Sequence, residues 1–211
     1  MRGLIYKELS VFFKSLDKRT APILVGVVAF LMYSIGADAG LLASIMFAVM
    51  VGMQNVTGFA VDEKAHWKRY QLAMPVNGVM VVVSKYISVI CTLVVSVLGS
   101  LLFNLLSSVV FRSFNAAVWG FSAAMAIVIP LMWAVICLPL TYWFGFQSAQ
   151  IIRLIVVIPF VYVVKYFEDG PGIYTMTDSL IPYVLAAFFA ILVLFGISLV
   201  ISIIGYEKKK Q

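Results

Sequence analysis

The stretch Val79–Ser108, "VMVVVSKYISVICTLVVSVLGSLLFNLLSS", decides the fold class. Its one charged side chain is Lys85. A helix crosses a hydrocarbon core of about 30 Å with about 20 mainly apolar residues, each adding about 1.5 Å. This run exceeds that length, so it reads as a spanning helix free to tilt or to extend past the bilayer. The whole chain agrees: 64% of its 211 residues are hydrophobic, 11% are charged, and the mean hydropathy is +1.08. A soluble domain averages about 45–50% apolar and about 25% charged. A chain this apolar has no single water-soluble core in which to hide its surface, and it reads as an all-α integral membrane protein.

Five further apolar segments, 20–37, 40–60, 116–140, 147–166 and 180–204, bring the expected spans to six. Pro130, Pro139 and Pro159 are kink positions in the fourth and fifth, because proline removes a backbone donor. An even number of spans puts both termini on one side. With the termini inside, Arg112 and Lys165 are the only two of the fifteen Lys and Arg residues left outside. The positive-inside rule then places both termini, and the loop after the second span, in the cytoplasm. Ala37-Asp38-Ala39 resembles a signal-peptidase site, but the leader before it is long and carries Glu8 and Asp17, so it is expected to be retained.

The formal charge of +6 lies beside the apolar segments, which reads as topology and lipid-surface attraction and not as nucleic-acid binding. Cys91 and Cys137 fall within apolar segments without metal-ligand spacing and read as free thiols. One histidine excludes a multi-His metal site, and no nucleophile stands at a meaningful spacing from a base. No G-x-x-x-x-G-K-[ST] phosphate loop is present. The chain is therefore expected not to be an enzyme and to hold no cofactor of its own.

The leader, "LIYKELSVFFKSLDK", has helical periodicity: Ile5, Leu9, Phe12, Phe13 and Leu16 share one face, and Lys7, Ser10, Lys14, Asp17 and Lys18 the other. Too short and charged to span, residues 1–19 are expected to lie in the cytoplasmic interface with Phe12 and Phe13 toward the acyl chains. Such a helix is either a plain anchor or an elbow that helps form a docking surface, and Lys7, Glu8, Phe12 and Phe13 are its candidate residues.

Between the second and third spans lies a charged island, "VDEKAHWKRYQLAMPV", Val61–Val76. Residues 62–71 are expected to form a short separate helix. Asp62 and Glu63 would stand near its N-terminus and Lys68 and Arg69 near its C-terminus, the favourable ends for each charge. His66 and Tyr70 would share one face, Glu63 and Trp67 another, and Pro75 with Asn77-Gly78 would turn the chain into the third span. A loop that only anchors two spans needs basic residues but has no use for a Trp, a Tyr and paired acids. Aromatic residues and Arg are typical anchors of protein interfaces, although Trp67 and Tyr70 also suit a membrane-interface belt.

The segment 59–87, "FAVDEKAHWKRYQLAMPVNGVMVVVSKYI", resembles the cytosolic loop of small six-span ABC-2-type permeases, through Asp62, Glu63, Trp67, Tyr70, Pro75, Ser84, Lys85 and Tyr86. The opening "MRGLIYKEL" is similar to that family's N-terminus. The nearest likeness within it is to permeases of phenol-soluble modulin exporters. The resemblance implies one permease domain over 1–211, a type V exporter-like fold with an elbow helix at 1–19, a coupling loop at 61–78 and a basic tail at 206–211. It implies coupling residues Asp62, Glu63, His66, Trp67, Arg69, Tyr70, Pro75 and Lys85, set against an ATP-binding subunit present in two copies that binds ATP and magnesium. It also implies a second permease protomer, in a homodimer or in a heterodimer with a similar permease, and export of amphipathic peptides across the cell membrane of a bacterium.

Within the spans, Thr92, Ser96, Ser100 and Asn104 recur every fourth residue, with Ser107 beside them. Small polar residues at this spacing either pack helices closely or line a transport path; Gln54 and Asn55 raise the same choice. Lys85 is expected to snorkel to the headgroups or to pair with a partner, ahead of a role as an intramembrane ligand. Arg153 and Lys165 bound the fifth span, and "KYFEDGPGIYTMTD", Lys165–Asp178, reads as an outer loop with a turn. Readings from other classes are an ATP-independent channel or secondary carrier, and a membrane scaffold or immunity protein. The former would need ionisable groups deep in the spans or repeated halves with broken helices.

Overall fold

A computed structural model describes residues 2–15, 20–67, 70, 77–146 and 177–208. All regular structure among them is helical. The α-helices are α1 (Arg2–Ser15), α2 (Thr20–Ile35), α3 (Ala39–Lys64), α4 (Gly78–Phe111), α5 (Ala116–Phe144) and α6 (Thr177–Lys208), with a 3-10 turn at Gly36–Asp38. They fall into two compact units, Met1–Ala134 and Val135–Gln211.

Among the described residues, four helices are long and apolar enough to cross a bilayer: Ala39–Lys64, Gly78–Phe111, Ala116–Phe144 and Phe188–Lys208. The expected first span is the shorter α2, whose 16 residues rise about 24 Å at 1.5 Å each, less than the hydrocarbon core. The expected fifth span, with Pro159, Arg153 and Lys165, lies outside the described residues. Helix α5 continues through both Pro130 and Pro139.

Small residues set the packing of the first unit. The α3 face that includes Ala39, Gly40, Ala43, Ser44, Ala48 and Gly52 is buried. A Cβ on Gly40 would stand 2.8 Å from Ser107 Cβ and 3.2 Å from Asn104 Cα, so the two backbones meet there as closely as glycine permits. Toward α2, Val28, Ala43 and Phe103 form a core cluster flanked by Leu24, Leu31, Met32 and Phe47. Phe47 and Phe103 meet edge to face at 5.5 Å.

Two tight reversals keep these helices adjacent. Gly36 takes φ 77° in the α2–α3 turn, a value that suits a residue without Cβ. Helix α4 ends at Arg112 in the left-handed region, and Asn115 Oδ1 accepts the Ala117 N–H at 3.0 Å to cap α5.

The polar stripe of α4 is an interhelical seam. Ser96 Oγ donates to the Ala126 carbonyl at 2.7 Å, and Thr92 Oγ1 donates to Asn55 Oδ1 at 2.9 Å. Asn104 Nδ2 reaches Ser44 Oγ at 2.9 Å and Ser122 Oγ at 2.7 Å, joining α3, α4 and α5. Thr92, Ser96, Ser100, Asn104 and Ser107 are all buried within the chain.

In the second unit, Trp143 Nε1 donates to the Ile201 carbonyl at 3.0 Å and Ser198 Oγ to the Val135 carbonyl at 2.8 Å. Tyr142 and Tyr206 meet edge to face at 6.0 Å, while Lys208 Nζ lies 5.0 Å over the Trp143 ring.

Candidate functional site

The charged island is not a separate helix at its start. Helix α3 runs without a break through Asp62 and Glu63 to Lys64 and stops where Ala65 and His66 turn the chain. His66 takes φ 49°, the left-handed conformation that ends many helices and that His adopts more readily than most residues. The two acids therefore occupy the last turn of a spanning helix, where the helix dipole disfavours negative charge, and not the N-terminus expected from sequence. The turn also breaks the expected 62–71 helix. Arg69 and Pro75 lie outside the described residues.

What offsets the unfavourable dipole is a pair of lysines from other helices. Lys7 of α1 pairs with Asp62 and, at 3.1 Å, with Glu8. Lys85 of α4 pairs with Glu8 and stands 3.8 Å from Asp62. Two cations and two anions thus alternate across three helices. Aromatic faces complete the shell: Lys7 Nζ lies 4.6 Å over the Trp67 ring and Lys85 Nζ 4.3 Å over Phe59.

Lys85 is only 4% exposed, so it does not snorkel outward as expected; it turns into the protein to meet Glu8. A buried ammonium is tolerated only with a close anion, and Glu8 supplies it. Burial by itself would raise the Glu8 carboxyl pKa, but the adjacent ammoniums of Lys85 and Lys7 outweigh it and hold the group below its usual 4.5. Gly58 makes the room, since a Cβ there would lie 2.9 Å from Lys85 Nζ and 3.4 Å from Glu8 Oε2.

The leader helix is accordingly part of the bundle. Glu8 is three residues after Ile5 and four before Phe12, which places it on the apolar face of α1, the face that docks on α3 and α4. Phe12 is 4% exposed and packs inside the protein, against the expectation that it faces lipid; Phe13 is 54% exposed. Gln54 and Asn55 line a cleft of about 10 Å³ beside Glu8, Gly58, Lys85 and Thr92, so they border the ion cluster.

Thus Lys7, Glu8, Asp62, Trp67 and Lys85, read from sequence as two separate groups, form one cluster. Glu63, Lys64 and His66 are exposed, and Tyr70 is 64% exposed. Ser96, Ser100 and Asn104 belong to the seam and not to this cluster. Among the described residues no group of His, Cys, Asp and Glu has the arrangement of a metal site.

A polytopic helical membrane protein with an N-terminal helix docked on its second and third apolar segments is the class that these features define. The model of the ABC-2 family transporter proteins matches residues 3–207, nearly the whole chain, and the chain belongs to that family. No curated protein and no solved structure matches it. A permease of this family generally works in a membrane with an ATP-binding subunit.

Proposed function

We propose that this chain is the transmembrane subunit of an ATP-binding cassette exporter and that the segment from Asp62 to Tyr70 is where a separate ATP-binding subunit engages it. The observation that carries the reading is the two-sidedness of this segment. Asp62 and Trp67 face the protein's own N-terminal helix, while Glu63, Lys64, His66 and Tyr70 stand outward. An exposed Tyr among alternating charges is a typical anchor for a protein surface.

The chain has no phosphate loop, so ATP and magnesium belong to the partner, present in two copies around a permease homodimer in a bacterial cell membrane. Both termini and the segment lie on the cytoplasmic side by the charge asymmetry of the loops. The cargo is an amphipathic or hydrophobic peptide. The high content of apolar, aromatic and Met side chains provides adaptable surface for such a cargo.

The test is a detergent pull-down with the candidate ATP-binding subunit, followed by ATP hydrolysis and peptide export in vesicles. The double variant E63A/Y70A is expected to insert normally and to lose co-purification and stimulated hydrolysis. Wild-type binding and export by that variant would refute the docking assignment. A wild-type chain that stays alone and leaves hydrolysis unchanged would refute the transporter reading.

A further inference from the structure

The outward side chains of the segment explain what it offers a partner, but not what holds it in one pose. The chain leaves α3 through a left-handed His66, and a short exposed turn of this kind has little stiffness of its own. Its fixed points are on the inner side. Trp67 and Asp62 both meet Lys7 of α1, and Asp62 also faces Lys85 of α4. Glu8 then joins the two lysines to each other. A continuous set of contacts therefore runs from Trp67 through Lys7, Asp62 and Glu8 to Lys85, a buried residue of the third apolar segment.

The placement is directional as well. Lys85 lies over Phe59 and close to Asp62, which are three residues apart on α3, so it grips the last turns of α3 just before the segment begins. Gly58 lets the Glu8–Lys85 pair sit directly against the α3 backbone. A plain lipid anchor would need no acid on the docking face of α1. A Glu8–Lys85 pair that merely stabilised the fold would have no need of Lys7, which engages both Asp62 and Trp67, the segment's own side chains.

We propose that Lys7, Glu8 and Lys85 are positioning residues for the coupling segment: they clamp Asp62 and Trp67 so that α1, α3 and α4 move with the segment as one lever. This rests on the transporter reading above. The consequence is a division of labour within ten residues. The outer side chains set how tightly the partner binds, and the inner cluster sets how much of the partner's motion reaches the helices.

The test uses the full chain reconstituted with its ATP-binding subunit, titrating the partner and reading both half-saturation and the maximal stimulated hydrolysis. K7Q removes the rim cation and leaves the Glu8–Lys85 pair in place, so the bundle stays folded. Its maximal stimulation is expected to fall about tenfold or more, the scale of a lost positioning contact, with half-saturation unchanged. E8Q is expected to lose stimulation, because the carboxylate that joins the two lysines is gone, and the conservative E8D to keep most of it. A K7Q protein with wild-type maximal stimulation, or with weaker partner binding and an unchanged maximum, would overturn the proposal. So would a monodisperse E8Q protein with wild-type maximal stimulation. If the wild-type chain neither binds nor stimulates the partner, the transporter reading fails and takes the clamp with it; a normal wild type beside a normal K7Q overturns the clamp alone.

Discussion

The Asn104 seam and the Lys85 cluster both join α3 to α4, one with neutral groups spread along the helices and the other with four charges gathered at the end of α3. In the seam most hydroxyls also have a carbonyl of their own helix to fall back on. Ser44 Oγ donates to Gly40 O at 2.6 Å and Thr92 Oγ1 to Val89 O at 2.7 Å, so losing one cross-helix partner orphans little. The cluster has no such reserve. Each charge is satisfied only by other charges, and removing one leaves its buried neighbour with a single remaining partner. Neutral seams tolerate damage; buried ionic ones transmit it.

The largest expected effect follows from that difference. E8Q or K85Q alone leaves a buried charge with one remaining partner and is expected to cost about 3 kcal/mol, the lower end for a broken buried pair, read as a drop in thermal unfolding temperature in detergent. Neutralising both with E8Q/K85M is expected to recover most of the loss, because the desolvation cost disappears with the attraction. A double variant as unstable as the singles would show that shape, and not charge, holds α1.

Acid should separate the two regions next. The folded carboxyl of Glu8 titrates below its usual value. Its contribution is therefore fully present above about pH 4.5 and is lost as pH falls through the depressed folded value. Protease protection of α1 should fail in that acid window while the Asn104 seam, which carries no titrating group, stays closed. E8Q should remove this pH dependence; its persistence in E8Q would assign it elsewhere.

Smaller effects sharpen the comparison at the glycines. G40A drives a Cβ into Ser107 Cβ and the Asn104 backbone, neither of which has room to swing aside, and is expected to cost about 1–3 kcal/mol. N104A removes one amide from a seam with local reserves and is expected to cost about 1–2 kcal/mol. G58A meets only the flexible end of Lys85 and the Glu8 carboxylate, so its thermal shift should be the smallest. Reversal of G40A and G58A in that order would mean that the cluster is the more rigid contact.

How much of this could be read from the chain depends on the range of each interaction. The seam was visible because its residues recur at helical spacing within one segment, from Thr92 to Asn104. The apolar lengths of α3 to α5 were equally visible, since each depends on local composition. The cluster was not visible as a unit, because its members stand 77 residues apart between Glu8 and Lys85 and 55 apart between Lys7 and Asp62. One signal did point to it: an acid, Glu8, on the apolar stripe of the leader, which a helix lying on lipid would not place there. The end of α3 was misjudged for a related reason. Asp62 and Glu63 look like the start of a helix by dipole logic, and at the end of one the lysines brought from α1 and α4 compensate Asp62, while Glu63 is exposed.

The most direct test of the account is a double-mutant cycle on Glu8 and Lys85, with unfolding measured for the wild type, both single variants and the double. A clamp predicts strong coupling, with the double variant recovering about 2 kcal/mol or more relative to the sum of the singles. Losses that simply add would show that the two side chains act independently, and that the leader helix is held by lipid or by Phe12 alone.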